Sequence, residues 1–285
     1  MGKAKCILVV GSTGYLGSHI IKRLLDEQAD FKAVARSKNK LLALGVKESQ
    51  IIEAQVTNPD ELTGICDDID IVISCLGITK QRDGLSYQAV DYQANLNLLC
   101  EAERAGVRKF TYVSAFNAQK YPAVRLLKAK EAFAKRLLAS EKLTPCVIRP
   151  NGFFSDISDI FNMARSGRVY LFGRGHLKLN PIHGADLACF CLEAISKEQQ
   201  EMDVGGPEIL SVKAIAQIAF TAQHKPVKIT YLPDWLRVFL VAIVKRLPVK
   251  WGGPAEFFLT LMGEDAIAPS YGEHRLVDFF ATLEK

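Results

Sequence analysis

The sequence predicts an α/β fold, a doubly wound parallel sheet, and three observations carry that reading. Short apolar runs alternate with amphipathic segments of helical spacing through the first half of the chain. Those runs are nearly continuous in apolar residues, as strands covered on both faces are. The first run, Cys6 to Val10, stops at Gly11, and Gly14 and Gly17 follow before a helix-spaced segment.

Taken in order, residues 6–10 read as the first strand and YLGSHIIKRLLDEQ, from Tyr15, as the first helix. FKAVA (31–35), IIEA (51–54), DIVISCLG (70–77), KFTYVSA (109–115) and PCVIRP (145–150) supply strands two to six. Helical patterns lie between them at Pro59 to Cys66, capped by Asn58, at Tyr87 to Ala105, stopped by Gly106, and at Ala123 to Ala139. Right-handed crossovers would cover both faces of the sheet and leave a ligand crevice at the carboxyl ends of the strands. After Pro150 the rhythm changes to glycine-punctuated, short apolar pieces. GADLACFCLEAIS (184–196) reads as a helix returning to the sheet, MDVGGPE (202–208) as a short strand and turn, and everything from Ser211 as helical. The expected division is a sheet domain over 1–150 and a smaller, mostly helical substrate lobe over 151–285, interwoven with the sheet through 184–206.

At 285 residues and 49% hydrophobic, the chain can bury one large core or two small ones. Its net charge of +5 is spread out, with no long basic run and no zinc spacing, which argues against nucleic acid as a partner. Seven cysteines, at 6, 66, 75, 100, 146, 189 and 191, lie mostly in apolar periodic segments and form no CxxC, the pattern of reduced thiols in a cytoplasmic protein. MGKAKCILVVG runs straight into the first strand, leaving no room for a signal peptide, and Cys6 does not fit a myristoylation site at Gly2.

The glycine segment carries the chemistry. Gly11 permits a sharp turn, Gly14 removes a Cβ where a phosphate must approach, and Gly17 lets the helix pack close to the strand. The free N–H groups at the helix start then hold a dinucleotide pyrophosphate. A merely structural turn is the bland alternative.

With these residues in view, the chain resembles the short-chain dehydrogenase/reductase superfamily, in its atypical, NmrA-like and divinyl-reductase-like branch. The resemblance covers nearly the whole chain. It rests on GSTGYLG (11–17), VARS (34–37), VDYQANLNLLCEAERAGVRKFTYVSA (90–115), KAKEAFAKRLLASEKLTPCVIRPNGFF (128–154) and NPIHGADLA (180–188). It implies a Rossmann-type fold binding NAD or NADP. The implied cofactor contacts are Gly11, Thr13, Gly14, Tyr15, Leu16 and Gly17 in the turn, Arg36 and Ser37 after the second strand, and Cys75, Leu76 and Gly77 after the fourth. Ser114 and Lys130 follow, with Pro150, Asn151, Gly152 and Phe153 after the sixth strand. Relatives that prefer NAD carry an acid at the end of the second strand. Here Arg36, Ser37 and Lys38 stand there with no acid, and a guanidinium can grip a 2′-phosphate, so NADP is expected over NAD. An exposed basic turn is the alternative.

The resemblance breaks at the catalytic centre. The familiar pattern has Tyr four residues before Lys; Lys130 matches the Lys, but position 126 is Leu, and Ala115 stands at the usual Ser, with Ser114 one place early. Lys130 is expected to hold the nicotinamide ribose. Tyr121, before Pro122 at the start of the same helix, is the candidate proton donor, or else a surface aromatic. His183 reads as a capping or packing residue and Asn95 as structural support. Phe153 and Phe154 suggest an apolar or flat small-molecule substrate, unless Phe154 is core. Residues 234–251, with Trp235, Arg237, Lys245, Arg246, Lys250 and Trp251, suit a helix lying on a membrane surface, a buried lobe helix or a homodimer contact. The expected function is an NADP(H)-dependent reductase of an apolar organic substrate; the alternative is a non-catalytic NADP(H)-binding redox sensor or assembly factor.

Overall fold

A computed structural model describes residues 5–79 and 84–284 of the chain. Strands β1 (Ile7–Val10), β2 (Phe31–Ala35), β3 (Ile51–Glu53), β4 (Ile71–Ser74), β5 (Lys109–Val113) and β6 (Thr144–Pro150) are followed by β7 (Val169–Phe172) and β8 (Lys178–Leu179), which leave the sheet, and by β9 (Glu201–Val204), which rejoins it. The order β3-β2-β1-β4-β5-β6-β9 is parallel throughout. It reverses direction between β1 and β4, which opens a crevice at their carboxyl ends.

Both faces are covered, which explains the unbroken apolar runs. On one face α1 (Tyr15–Asp26) presents Leu16, Ile20 and Leu24 at four-residue spacing. Further along the chain come α2 (Asn39–Ala43), α3 (Asn95–Ala105), α4 (Arg125–Leu138), α5 (Phe154–Arg165) and α6 (Gly184–Ala194). The α6 helix joins α1 through Leu187, Ala188 and Cys191. On the other face α3 and α4 bury Leu98, Leu99, Ala102, Phe133, Ala134 and Leu137. Each such side chain contributes about 1.5–3 kcal/mol for a full-sized aliphatic or Phe.

The second half holds its own core. Helix α7 (Val212–Ala222) follows β10 (Leu210–Ser211), and β11 (Ile229–Leu232) precedes α8 (Asp234–Val244), α9 (Val249–Leu261) and α10 (Leu276–Glu284). Phe154, Phe161, Val169, Phe220 and Phe280 from α5, β7, α7 and α10 pack together. Buried Asn180 stitches this half to the sheet: its amide donates to the Gly206 and Ala268 carbonyls and its oxygen accepts from Ala268 N and from the Asn151 amide.

Three expected elements need correction. The chain from Ser211 is not helical to its end: ITYL forms β11, parallel to β7, and 263–275 is mostly extended and held by main-chain bonds such as Tyr271 N to Gly205 O at 2.8 Å. Four-residue apolar runs carry no period that separates strand from helix. Pro59 to Cys66 is not a full helix but a 3₁₀ turn over Pro59–Leu62, with Asn58 accepting from Asp60 N. The segment 87–105 begins as a π-helix, Gln88–Ala94, before α3.

A histidine clasp closes the α1/α6 face. His183 caps α6 by accepting from Ala185 N and stacks on His274 at 4.3 Å between ring centroids, with His19 edge-on. Asp186 accepts from the main-chain N–H groups of Glu273 and His274 and from the His274 ring. Burial, and then the His274 and His19 rings, depress His183 to about 4. The unfolded chain takes that proton near 6.5, so the clasp contributes fully above pH 6.5 and loses its contribution as the pH falls toward 4. The thermal midpoint is expected to drop across that window. His183→Asn, which keeps an acceptor for the cap, should flatten the drop; an unchanged profile in the variant assigns the acid sensitivity elsewhere.

Candidate cofactor and substrate site

The glycine turn is built by close approach. Gly11 has φ +80°, and a Cβ there would lie 2.9 Å from the Cys75 main chain. A Cβ on Gly17 would collide with the Gly11 carbonyl, so α1 can sit on β1 only because that position is glycine. Gly14 is different. It is the extended N-cap of α1, makes no side-chain cap, and a Cβ there would meet only the Gly11 oxygen, at 3.2 Å, with open space beyond. That space in front of uncapped helix N–H groups is where an anion fits. Tyr15, next in line, is turned away: its hydroxyl accepts from Gly184 N at 3.1 Å and its ring lies 5.6 Å from that of Phe153.

Lys130 stands across the crevice on α4. Its ammonium pairs with Asp91 Oδ1 at 3.0 Å, with the Asp91 side chain 0% and the Lys130 side chain 12% exposed. Burial alone would lower the Lys130 pKa, but Tyr112 and Asp91 beside it outweigh that and raise it, so Lys130 stays cationic. Burial raises the Asp91 pKa, opposed by Lys130. Asp91 is delivered by the π-helix, and the carbonyls of Val90 and Asp91 are taken up by the Asn95 amide, whose oxygen accepts from Ser74 Oγ. Gly77 passes directly over the pair: a Cβ there would lie 2.7 Å from Lys130 Nζ. The hydroxyls of Ser114 and Tyr112 are buried and have no hydrogen-bond partner among the described residues.

One cavity of about 540 Å³ joins these parts. Its floor is Gly11, Gly14 to Gly17, Cys75 and Gly77; Ser114, Lys130 and Pro150 to Phe153 form the middle. Thr13, Arg36, Ser37 and Leu76 stand outside its walls. Arg36 and Ser37 are exposed beyond β2, and neighbouring Lys38 pairs with Glu48. Its far end is mostly apolar, with Ile160, Met163, Leu179, Phe257, Phe258 and Leu261, and Asp159, Lys178 and Glu264 also line the cavity. Phe153 faces this space, whereas Phe154 is core. Asn151 lines the cavity, but its amide is already bonded to Asn180 Oδ1 and Ala266 O and its oxygen to Gly152 N, so it shapes the loop. Leu126, one turn before Lys130, is an aliphatic wall. Tyr121 is not a wall residue; its hydroxyl donates to Glu264, which is, and burial with that bond pushes Tyr121 up to about 12. Among the described residues no cluster is fit to hold a metal ion.

Asp91, Tyr112 and the α9 wall were not anticipated. Asp91 did carry a signal: it falls on the inward stripe of its helix with Val90, Ala94, Asn95 and Leu98, where an acid needs a partner.

A family model described as NAD(P)H-binding matches residues 11–198. The divinyl chlorophyllide a 8-vinyl-reductase of Cucumis sativus is 30% identical over 96% of this chain and 75% of its own length, and that of Arabidopsis thaliana 28% over 97% and 76%. The photosystem II assembly factor Ycf39 of Synechocystis is 29% identical over 53% of this chain and 46% of its own. Among solved structures, the Escherichia coli NADPH-dependent quinone oxidoreductase in complex with NADPH superposes with a TM-score of 0.71, at 19% identity over 98% of this chain and 100% of that one. At that identity the likeness is one of fold.

The glycine geometry separates binding from folding. Gly14→Val is expected to leave the thermal midpoint within a few degrees, since its branches point into open space, and to abolish the fluorescence change expected on titrating a pyridine dinucleotide such as NADPH. Unaltered NADPH titration in that variant would make the turn structural only.

Proposed function

The chain belongs to the NAD(P)H-binding family, in the atypical branch of the short-chain dehydrogenases/reductases, and from that premise we propose that it is an NADP(H)-dependent reductase of an apolar, conjugated organic substrate. One observation carries the reading. The anion-ready helix start, the clamped Lys130 cation and an apolar chamber are walls of a single cavity.

The residues present fit a pyridine dinucleotide. Gly14 leaves a cradle that a side chain would fill, and Lys130 and the unpartnered Ser114 hydroxyl offer a cation and a donor to ribose hydroxyls. A bound nicotinamide supplies the hydride. Pro150, Gly152 and Phe153 in the middle of the cavity would hold a flat nicotinamide, and the aliphatic and aromatic far wall would exclude water and take up an apolar substrate. Lys130 positions rather than donates, because Asp91 beside it at 3.0 Å keeps it cationic. Leu126 leaves no phenol beside the reacting atoms, so the proton comes from solvent at the mouth, or from Tyr121 through Glu264. Arg36 and Ser37, with no acid at the end of β2, favour the 2′-phosphate.

The absence of a phenol at 126 and of a serine at 115 favours a second reading, a non-catalytic NADP(H)-binding sensor or assembly factor. The two separate by turnover. NADPH consumed stoichiometrically with an enone, a quinone or a divinyl tetrapyrrole eliminates the sensor; tight NADPH binding with no oxidation across such a panel eliminates the reductase.

Two variants test the roles. Arg36→Ala is expected to weaken NADPH by at least about tenfold and NADH little, the size of a lost charge-assisted bond; equal affinity of the wild type for both nucleotides would overturn the preference. Lys130→Met should lower NADPH affinity and turnover together. If Tyr121 is the acid, Tyr121→Phe alone should cost about 10²–10⁴ in rate, and an unchanged rate assigns the proton to water.

A further inference from the structure

The α8–α9 hairpin wears its apolar face outward. Trp235, Val238, Phe239, Ile243 and Leu247 recur at three- and four-residue intervals along one side of α8 and its C-terminal turn, and they are 68%, 55%, 56%, 39% and 42% exposed. Trp251, at the start of α9, is 73% exposed. No residue of α8 is fully buried. The hairpin is nonetheless firmly seated on its other side. Arg125 of α4 donates to Glu256, to the Leu247 carbonyl and to the Val244 carbonyl, and Arg237 donates to the Leu259 carbonyl.

Charge says what covers this face. Lys245, Arg246 and Lys250 are exposed beside the apolar stripe. Between Trp235 and Met262 the one carboxylate is Glu256, which is buried and paired with Arg125. A two-fold contact sets the same patch against itself, so a second copy of the chain would bring these like charges together, with Asp234, already paired with Arg237 at the other end of α8, as the one acid of that helix. A surface of anionic lipid headgroups meets the lysines and arginine, and paired tryptophans suit the headgroup layer, where one ring edge is wet and the rest apolar. No described helix is long and apolar enough to cross a membrane, so the hairpin would lie on the surface.

We propose that the α8–α9 hairpin docks on an anionic lipid surface, with Trp235, Phe239 and Trp251 in the headgroup layer. Phe257, Phe258 and Leu261 of the same α9 form the apolar cavity wall, and Met262 both lines the cavity and is 41% exposed. The cavity thus has a lipid-facing edge, through which a membrane-dissolved substrate enters. That entry route rests on the reductase reading; the docking does not.

The chain has two tryptophans, and both are on the hairpin, so tryptophan emission excited at the red edge reports on this surface and not on the eight tyrosines. Vesicles of phosphatidylcholine with 30% phosphatidylglycerol should co-float the full chain and shift its emission to the blue, and brominated acyl chains should quench it. Pure phosphatidylcholine vesicles should do so weakly. Lys245→Glu with Arg246→Glu should lower partitioning at least about tenfold, given roughly 1 kcal/mol per basic residue at such a surface; Trp235→Ala with Phe239→Ala should abolish flotation without changing NADPH titration. Absence of flotation, equal flotation on both lipids, or a blue shift that follows protein concentration instead of lipid would overturn the proposal. None of these measurements needs substrate or turnover, so the docking can fail while the reductase reading stands, and the reverse.

Discussion

The buried pair between Asp91 and Lys130 is the constraint on which the crevice depends. Two charges removed from water cost several kcal/mol of desolvation, and taking away one partner typically costs about 3–5 kcal/mol. A chain keeps such a pair only if the geometry around it is fixed, and here three elements are committed to it. The π-helix spends one residue of helical register to turn Asp91 inward, and the carbonyls displaced by that register are recovered by Asn95. The loop after β4 must then pass over the pair as glycine, at Gly77. What is obtained is a cation pinned between Asp91 and the Gly77 loop, at the point where the polar half of the cavity meets the apolar half.

The two halves obey different physics. At the glycine turn the main chain itself is the ligand surface, and the requirement is for missing side chains and unpaired N–H groups. At the far end the requirement is for bulk: Phe257, Phe258, Leu261 and Met163 close off water with surface that offers no hydrogen bond. Leu126 belongs with this second half, extending the apolar wall to within one helical turn of Lys130. Tyr112 does not restore the missing phenol, because it is wholly buried and burial raises its pKa far above neutrality.

The legibility of the sequence followed these same physics. The first six strands could be read because a sheet covered on both faces leaves continuous apolar runs between polar helices. Gly11 and Gly17 could be read because each answers a backbone need that other residue types cannot meet, and Gly14 because it leaves space in front of the helix start. Lys130 followed from the family resemblance carried by KAKE (128–131). By contrast β7 and β11 are four residues long and apolar, and their pairing, not their composition, makes them strands. Asp91 acquires its meaning only from a lysine on another helix. Phe257 and Phe258 look like any core aromatic in one dimension, and the aromatics of Phe153 and Phe154 show how little sequence separates a wall residue from a core one.

Arg125 has a consequence for how such a protein can change over generations. It joins the hairpin to α4 through two main-chain carbonyls and one carboxylate, and the fit is close: a Cβ on Gly252 would lie 2.2 Å from the Val244 oxygen and 2.8 Å from the Arg125 guanidinium. The joint therefore demands Gly252 and Glu256 of α9 but little of the exposed side chains of α8. Phe257 and Leu261 serve both the far wall and the packing on α4, whereas mutations elsewhere in that wall leave the fastening, the glycine turn and the lysine clamp untouched, so a lineage can reshape the chamber there without first losing the fold.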